Sequence, residues 1–463
     1  MRLPLASTSN QTRARPNSSV RLVNLYAEAG DGKDPFVLYG TPGFKSFGTM
    51  AEANGRGAVV MAGTLYVVYG EGLYSVTTGG TGTALSGVTI DGTGRVHIAT
   101  NGTQIGIVTS QGTGYYATEA NGVREITDSS YTLASSLGFL DGYGVLTRKD
   151  TDAFFLTALN DFSNIAAEDF ATAEAAADNL VTSVIANRRV WLFGTETTEV
   201  WFNSGQSGFP LARQTTIERG IIGQHGAVAE DNTVFWLGED RIFYRNEGFV
   251  PRRISNHGVE EEVRKLATVS DVEAWTYGQG GHRFVGWTFP TENRCFVYDA
   301  ATGTWHERDT YEATRWRPAF IVEAYGKVLA GDATGTGLYE MDPDTFTDAG
   351  GTILRRAVLP ALANEYARGT CHRFALDIEA GTGITTGQGS DPQVMLRYSK
   401  DGGRQWSQSL SRDMGKLGEY RTRAIWNRLG QFGTNGVVFE VSVSDPVKVS
   451  ILGAHVEAEG NAP

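Results

Sequence analysis

The sequence predicts an all-β protein: a β-propeller followed by a C-terminal β-sandwich, with short helices inserted between blades. Three observations predict it, namely a repeat, a composition rich in turn formers and a change of pattern near residue 350. An apolar run, a tight polar turn and a second aromatic-rich run recur seven times between Ala58 and Glu340, with turns at Gly63, Gly102, Gly142, Asn187, Asn232, Gly280 and Gly326. The steps are roughly 40 to 48 residues, the period of propeller blades. One small four-stranded sheet cannot bury both its faces, so it stacks on copies of itself, and closing the ring removes the need for end caps. The repeat fits seven blades, with six as the other count, because an N-terminal strand can complete the last blade. The 58 glycines and 18 tyrosines in 463 residues suit many short strands joined by turns.

Residues 1–50 read as an N-terminal arm and first strand. Ser7 to Ser19 is polar and contains Arg13, Arg15 and Pro16, the composition of an extended arm. Arg21 to Tyr26 alternates as a strand does, and Tyr39 to Gly43 is a turn with Pro and Gly in their usual places. Residues 51–350 carry the blades. The fourth and fifth are the most legible: Val190-Trp191-Leu192-Phe193-Gly194 follows the turn at Asn187, and Val234-Phe235-Trp236-Leu237-Gly238 follows the turn at Asn232. Two helices are expected between blades. Asp169 to Ala177 is alanine-rich with acidic residues early, which suits the helix dipole. Val259 to Ala267 has Asn256 as its cap and acid-before-base pairs Glu260-Arg264 and Glu261-Lys265. Residues 351–463 form a linker and a β-sandwich, with strands at Phe374 to Glu379, Val394 to Tyr398, Val437 to Val443 and Val447 to Leu452.

Composition narrows the function. Forty basic residues against 52 acidic ones leave a net charge of −12, which argues against a surface that grips nucleic acid. A channel wall along which DNA slides is compatible with it. The two cysteines, Cys295 and Cys371, give no disulfide framework and read as reduced and structural. Met1 to Pro16 lacks the apolar region of a signal peptide, and no stretch reaches the ~20 apolar residues of a membrane span. Synthesis in a cytoplasm is the expectation.

Ser399-Lys400-Asp401-Gly402-Gly403-Arg404-Gln405-Trp406 matches the Asp-box pattern S-x-D-x-G-x-x-W of sialidase-like propellers. Its residues build a turn: the Asp accepts amides, Gly supplies positive φ and the Trp packs beneath. Ser399, Asp401, Gly403 and Trp406 are therefore read as structural. Asp342, Asp344 and Asp348 lack the glycine and closing glutamate of a calcium loop, and the seven histidines include no metal-binding spacing. No nucleophile elbow or phosphate loop is present. Trp191, Trp201, Trp236 and Trp287 fall at strand positions and read as core rather than a sugar groove. Catalytic, cofactor and metal residues are assigned to none.

The middle of the chain resembles the packaged-DNA stabilisation, or tail hub (nozzle), proteins of short-tailed phages. The ordered set that carries the resemblance runs from Thr157-Ala158-Leu159-Asn160-Asp161 through Trp191-Leu192-Phe193-Gly194, Glu199-Val200-Trp201-Phe202-Asn203, Ile217-Glu218-Arg219-Gly220 and Pro251-Arg252-Arg253-Ile254-Ser255-Asn256-His257 to Trp305-His306-Glu307-Arg308. The ends resemble the family more loosely, through Leu22-Val23-Asn24-Leu25-Tyr26 and Trp426-Asn427-Arg428-Leu429-Gly430. The resemblance implies a non-enzymatic virion protein made in a bacterial host. It would form a homohexameric ring below the portal and adaptor, close the channel behind packaged double-stranded DNA, and carry tail fibres, a tailspike or a needle. The loop at Arg252 and Arg253 and the helix bearing Glu261 and Lys265 are expected at subunit contacts. The alternative is a glycan-binding or sialidase-like propeller.

Overall fold

The unbroken apolar runs of the blades are explained by burial on both faces. In the computed structural model, which describes residues 1–30, 35–173, 178–363 and 367–460, seven four-stranded antiparallel sheets follow one another. They span 55–84, 97–125, 134–172, 180–217, 227–253, 273–307 and 318–342, and are called blades one to seven here. Side chains of one strand alternate between its two faces. Val190 and Leu192 of blade four accordingly pack toward blade three, while Trp191 and Phe193 pack toward blade five. The same division holds all the way round, so that one apolar cluster fills each of the seven gaps between neighbouring blades. Trp191, Trp236 and Trp287 are completely enclosed and Trp201 nearly so, as core residues.

The first strands of the blades pack side by side in chain order, and Pro318–Ala324 of blade seven lies against Gly55–Met61 of blade one, which closes the ring. All seven predicted turns join the first and second strands of a blade. Six have positive φ at both central residues, for example Asn187 (51°) and Arg188 (55°), or Tyr325 (56°) and Gly326 (70°). That is the turn whose twist matches a hairpin. Blade seven supplies only three strands of its own. Its fourth is Gly43–Thr49, paired from Asp342↔Gly43 to Gly337↔Thr49. This strand then crosses the loop of blade one so closely that a Cβ on Gly80 (φ +85°) would lie 1.8 Å from the Phe47 carbonyl oxygen.

One expected helix is seen and one is corrected. Asn256 caps the helix His257–Arg264, its side chain accepting from the Val259 amide at 2.9 Å, and both i,i+4 ion pairs form. Asp169 to Thr172, by contrast, is the end of the strand Asp161–Thr172, with Phe170 opposite Phe155 and Ala171 opposite Phe154; residues 174–177 lie outside the described residues. Pairing to an existing blade edge overrides the local helix propensity of an alanine-rich stretch.

The sandwich has two sheets around one core, and the first forty residues belong to it. One sheet orders Ala424–Phe432, Gly369–Ile378, Ser450–Gly460, Phe36–Gly40 and Leu25–Ala29, with Arg2–Leu3 paired to Ser450–Gly460. The other orders Ser19–Val23, Arg355–Val358, Val438–Val443, Gln393–Ser399 and Leu410–Asp413. Leu3, Leu22, Leu25 and Leu38 share a core with Phe374, Trp426, Phe439 and Val456. The strand expected at Val447 begins at Ser450. The chain thus starts in the sandwich, crosses at 41–42 to close the propeller, runs round all seven blades and returns across 343–354. Cys295 and Cys371 are buried free thiols. Among the described residues no helix is long and apolar enough to cross a membrane.

Candidate functional site: the joint between propeller and sandwich

The second sandwich sheet does not stop at its edge. Ser19–Val23 also meets the last strand of blade six, Val23 beside Glu307, so one hydrogen-bonded sheet runs from propeller into sandwich. Asn24 ends that strand because it adopts φ +53°, which asparagine tolerates. Its side chain then ties three segments: Nδ2 donates to the carbonyls of Asp309 (3.0 Å) and Leu354 (3.1 Å), and Oδ1 accepts from the Asp309 amide (3.0 Å).

A lattice of alternating charges fills the joint. Arg21 grips Glu307 with two bonds of 2.7 Å, and Arg294 reaches the same carboxylate at 3.1 Å. Arg294 also touches Glu262 at 3.3 Å, and Glu262 accepts from Arg15 (3.2 Å) and Lys265 (2.7 Å). Three elements contribute: the N-terminal segment, the helix and blade six. Burial alone would push the Glu307 carboxyl up, but Arg21 and Arg294 outweigh it and hold it at about 2. Glu262 is lowered in the same way, burial being overcome by Lys265, Arg294 and Arg15. The arrangement does no bond-making chemistry. It fixes two domains in one orientation, because buried bidentate pairs tolerate little change of geometry.

Of the four residues expected at subunit contacts, Lys265 belongs to this lattice, Glu261 and Arg253 adjoin it through the helix, and Arg252 and Arg253 lie on the strand Val250–Arg253 rather than in a loop. Arg253 makes two 2.6 Å bonds to Glu260, a completely buried carboxylate that also accepts from Ser255 (2.8 Å) and Arg264 (3.3 Å). Glu261 accepts from Arg13 at 2.9 Å, and Lys265 is engaged with Glu262. Arg252 stands apart: its side chain is 66% exposed and meets the half-exposed Glu247 at 3.0 Å.

The Asp-box-like turn is also at the joint. Ser399 Oγ donates to Asp401 Oδ1 (2.7 Å) and accepts from the Gly403 amide (2.8 Å), while Asp401 Oδ1 accepts from the amides of Arg404 and Gln405, both at 2.9 Å. These bonds hold the Asp401 carboxyl below its ordinary range, the Gln405 amide contributing most. Gly402 (φ +75°) lies against Pro16, where a Cβ would come within 2.8 Å. Trp406 is half-buried beneath the Arg397 guanidinium, 5.6 Å from the ring centroid. The motif therefore secures the N-terminal segment.

Asn24, Arg21, Glu262, Arg294 and Glu307 were not singled out as a site by sequence reasoning. Asn24 and Glu307 stand inside the stretches that carry the family resemblance, which is the signal that marks them. No local pattern links Arg21 to a glutamate 286 residues away.

Residues 1–346 match the family model described as bacteriophage P22 Gp10, beta-propeller, and residues 355–459 match bacteriophage P22 Gp10, beta-sandwich. No curated protein matches the chain. Three of the solved structures that it weakly resembles illustrate the fold. PorZ, an essential surface component of the type-IX secretion system of Porphyromonas gingivalis, is 13% identical with TM-score 0.38; 80% of this chain and 46% of PorZ are covered, so the chain spans less than half of that protein. The computationally designed Ika8 protein is 13% identical with TM-score 0.41, over 73% of this chain and 99% of Ika8. BamB from Moraxella catarrhalis is 10% identical with TM-score 0.41, over 74% of this chain and 97% of BamB. Matched in order by the propeller model and then the sandwich model, the chain belongs to the bacteriophage P22 Gp10 family, structural proteins of the phage tail that stabilise packaged DNA.

Proposed function

We propose that this chain forms a homohexameric ring, the hub or nozzle of a short tail, set below the portal and adaptor. It extends the exit channel, holds the packaged genome back and offers its outer surface to fibres, a tailspike or a needle. The observation that carries the reading is the ordered match of both family models across residues 1–459. The construction of the joint supports it. A strand shared between domains and a buried charge lattice would transmit force between propeller and sandwich without a flexible linker. DNA would run along the lumen between subunits, since the cavity on the propeller axis holds about 280 Å³. Residues 1–354 carry 27 basic against 41 acidic side chains, a balance that repels a passing duplex.

Quantitative mass spectrometry of purified virions tests the ring. The expected result is a fixed ratio near half the portal copy number, and absence of the chain from the particle would sink the reading.

The contact face is proposed around Arg252, with the Glu261 and Lys265 helix beside it. Arg252→Glu is expected to leave thermal stability unchanged within about 0.5 kcal/mol, as an exposed substitution does, while ring assembly falls. Arg253→Glu would instead place a second carboxylate against buried Glu260 and unfold the region. Normal assembly of the Arg252→Glu chain, by light scattering or in reconstituted tails, would remove Arg252 from the interface.

A further inference from the structure

The axis of the propeller holds a charge that its surroundings do not balance. The first strands of the blades enclose a cavity of about 280 Å³, whose polar lining includes Arg95, His97, Thr182, Ser183, Gln224 and His225. His97 of blade two and His225 at the start of blade five come together across the ring, their rings stacked 4.5 Å apart and inclined by 24°. Gln224 donates its Nε2 to the Ser135 carbonyl. Arg95 donates Nη1 to the Ala274 carbonyl at 2.8 Å. His97 Nε2 is buried and has no hydrogen-bond partner among the described residues.

The charges around Arg95 are few. Glu273 attracts it, but the Glu273 carboxylate already accepts from Arg315 at 2.6 Å, and Arg315 repels Arg95. His97 and His225 are held neutral: burial first, then neighbouring positive groups, push His97 down to about 3 and His225 well below its usual value. Two guanidinium groups therefore face one carboxylate, which leaves one positive charge on the wall of a partly open cavity, where Arg95, His97 and His225 are each half-buried. A partly desolvated charge without a counter-charge is unfavourable. The volume exceeds the ≈30 Å³ share of one water several-fold.

We propose that this axial cavity binds a small oxyanion of phosphate size, held by the Arg95 guanidinium with His97 Nε2–H as a second donor and His225 stacked behind to fix the His97 ring. The anion acts as a structural pin on the axis, tying blades two, five and six where their first strands meet. The site lies inside one propeller and is independent of the hexameric tail reading.

The test is titration of the full chain with sodium phosphate at pH 7 and constant ionic strength, read by calorimetry and by thermal unfolding. Saturable binding of one phosphate per chain is expected. Above the dissociation constant, the melting temperature should rise by about 1–2 °C per tenfold increase in phosphate, given the unfolding entropy of a chain this long. Phosphate also stabilises proteins by exclusion from their surfaces, so the deciding quantity is the difference from Arg95→Gln at equal phosphate. That variant should bind at least tenfold more weakly and lose the saturable part of the shift. If Arg95→Gln does not fold, His97→Gln keeps the charge and should weaken binding several-fold. No saturable binding to the native chain by about 10 mM phosphate, a level near the weak end of specific affinities, or an equal shift in the variants, would overturn the proposal and leave only water in the cavity.

Discussion

Glu307→Gln is expected to destabilise the protein by about 3–5 kcal/mol at pH 7, the loss that follows when one partner of a buried ion cluster is removed. The side chain is 3% exposed, and its carboxylate is the common acceptor for Arg21 from the sandwich and Arg294 from blade six. Glutamine keeps the shape but leaves two guanidinium groups without their counter-charge. The pH dependence gives the effect a signature. Folding lowers the Glu307 pKa from 4.5 to about 2. A depressed carboxylate stabilises the fold above its unfolded pKa and loses that contribution as pH falls through the folded one. The native chain should therefore shed about 3 kcal/mol between about pH 4.5 and pH 2 through this group, and the gap between native and Glu307→Gln should close over the same window. A second acid effect begins higher. His97, His225 and His306 are kept neutral by burial, so the unfolded chain takes up protons below about pH 6.5 that the folded one refuses. Both proteins should share that part. Urea unfolding at pH 7, 4 and 3 separates the two; a gap that does not change with pH would show that Glu307 is not the buried anion of the joint.

Arg355→Met is expected to act in the opposite direction and stabilise the protein by about 1–4 kcal/mol. Arg355 is 1% exposed, and none of its three side-chain nitrogens has a hydrogen-bond partner among the described residues. Its guanidinium lies 6.0 Å from the Phe346 ring centroid and presses on Gly40, where a Cβ would come within 2.6 Å of Nε. Burial alone pulls its pKa well below the ordinary guanidinium value, to about 10. A base whose folded pKa is depressed costs stability at every pH below the folded value, here about 3 kcal/mol at neutral pH. Methionine fills similar space without charge or unmet donors. The denaturant midpoint should rise with an unchanged slope; a lower midpoint would mean that Arg355 has a favourable partner in solution.

The two predictions illustrate how unevenly this molecule was legible. The blades could be read because each central strand is buried on both faces, so Val190-Trp191-Leu192-Phe193 is apolar without interruption and its turn at Asn187 needs residues that accept positive φ. The cap at Asn256 and the pairs Glu260-Arg264 and Glu261-Lys265 were equally visible, because capping and i,i+4 pairing are local. Asp169 to Ala177 misled for the complementary reason. Its alanine content favours a helix in isolation, and what decides for Asp169 to Thr172 is the open edge of a blade.

What the sequence determined by itself was the architecture of repeats, the sandwich that follows and the family, all of which rest on patterns carried within tens of residues. The tertiary structure decided what those parts are fastened to. The N-terminal segment has the polarity of a free arm, yet Arg13, Arg15 and Arg21 find Glu261, Glu262 and Glu307 on the propeller. Leu3, Leu22, Leu25 and Leu38 enter the sandwich core, Gly43–Thr49 closes blade seven, and His97 meets His225 across the axis. Each of these contacts joins residues more than a hundred positions apart. Their energy comes from desolvation and from charges matched in space, and no local periodicity records which distant residue will supply the match.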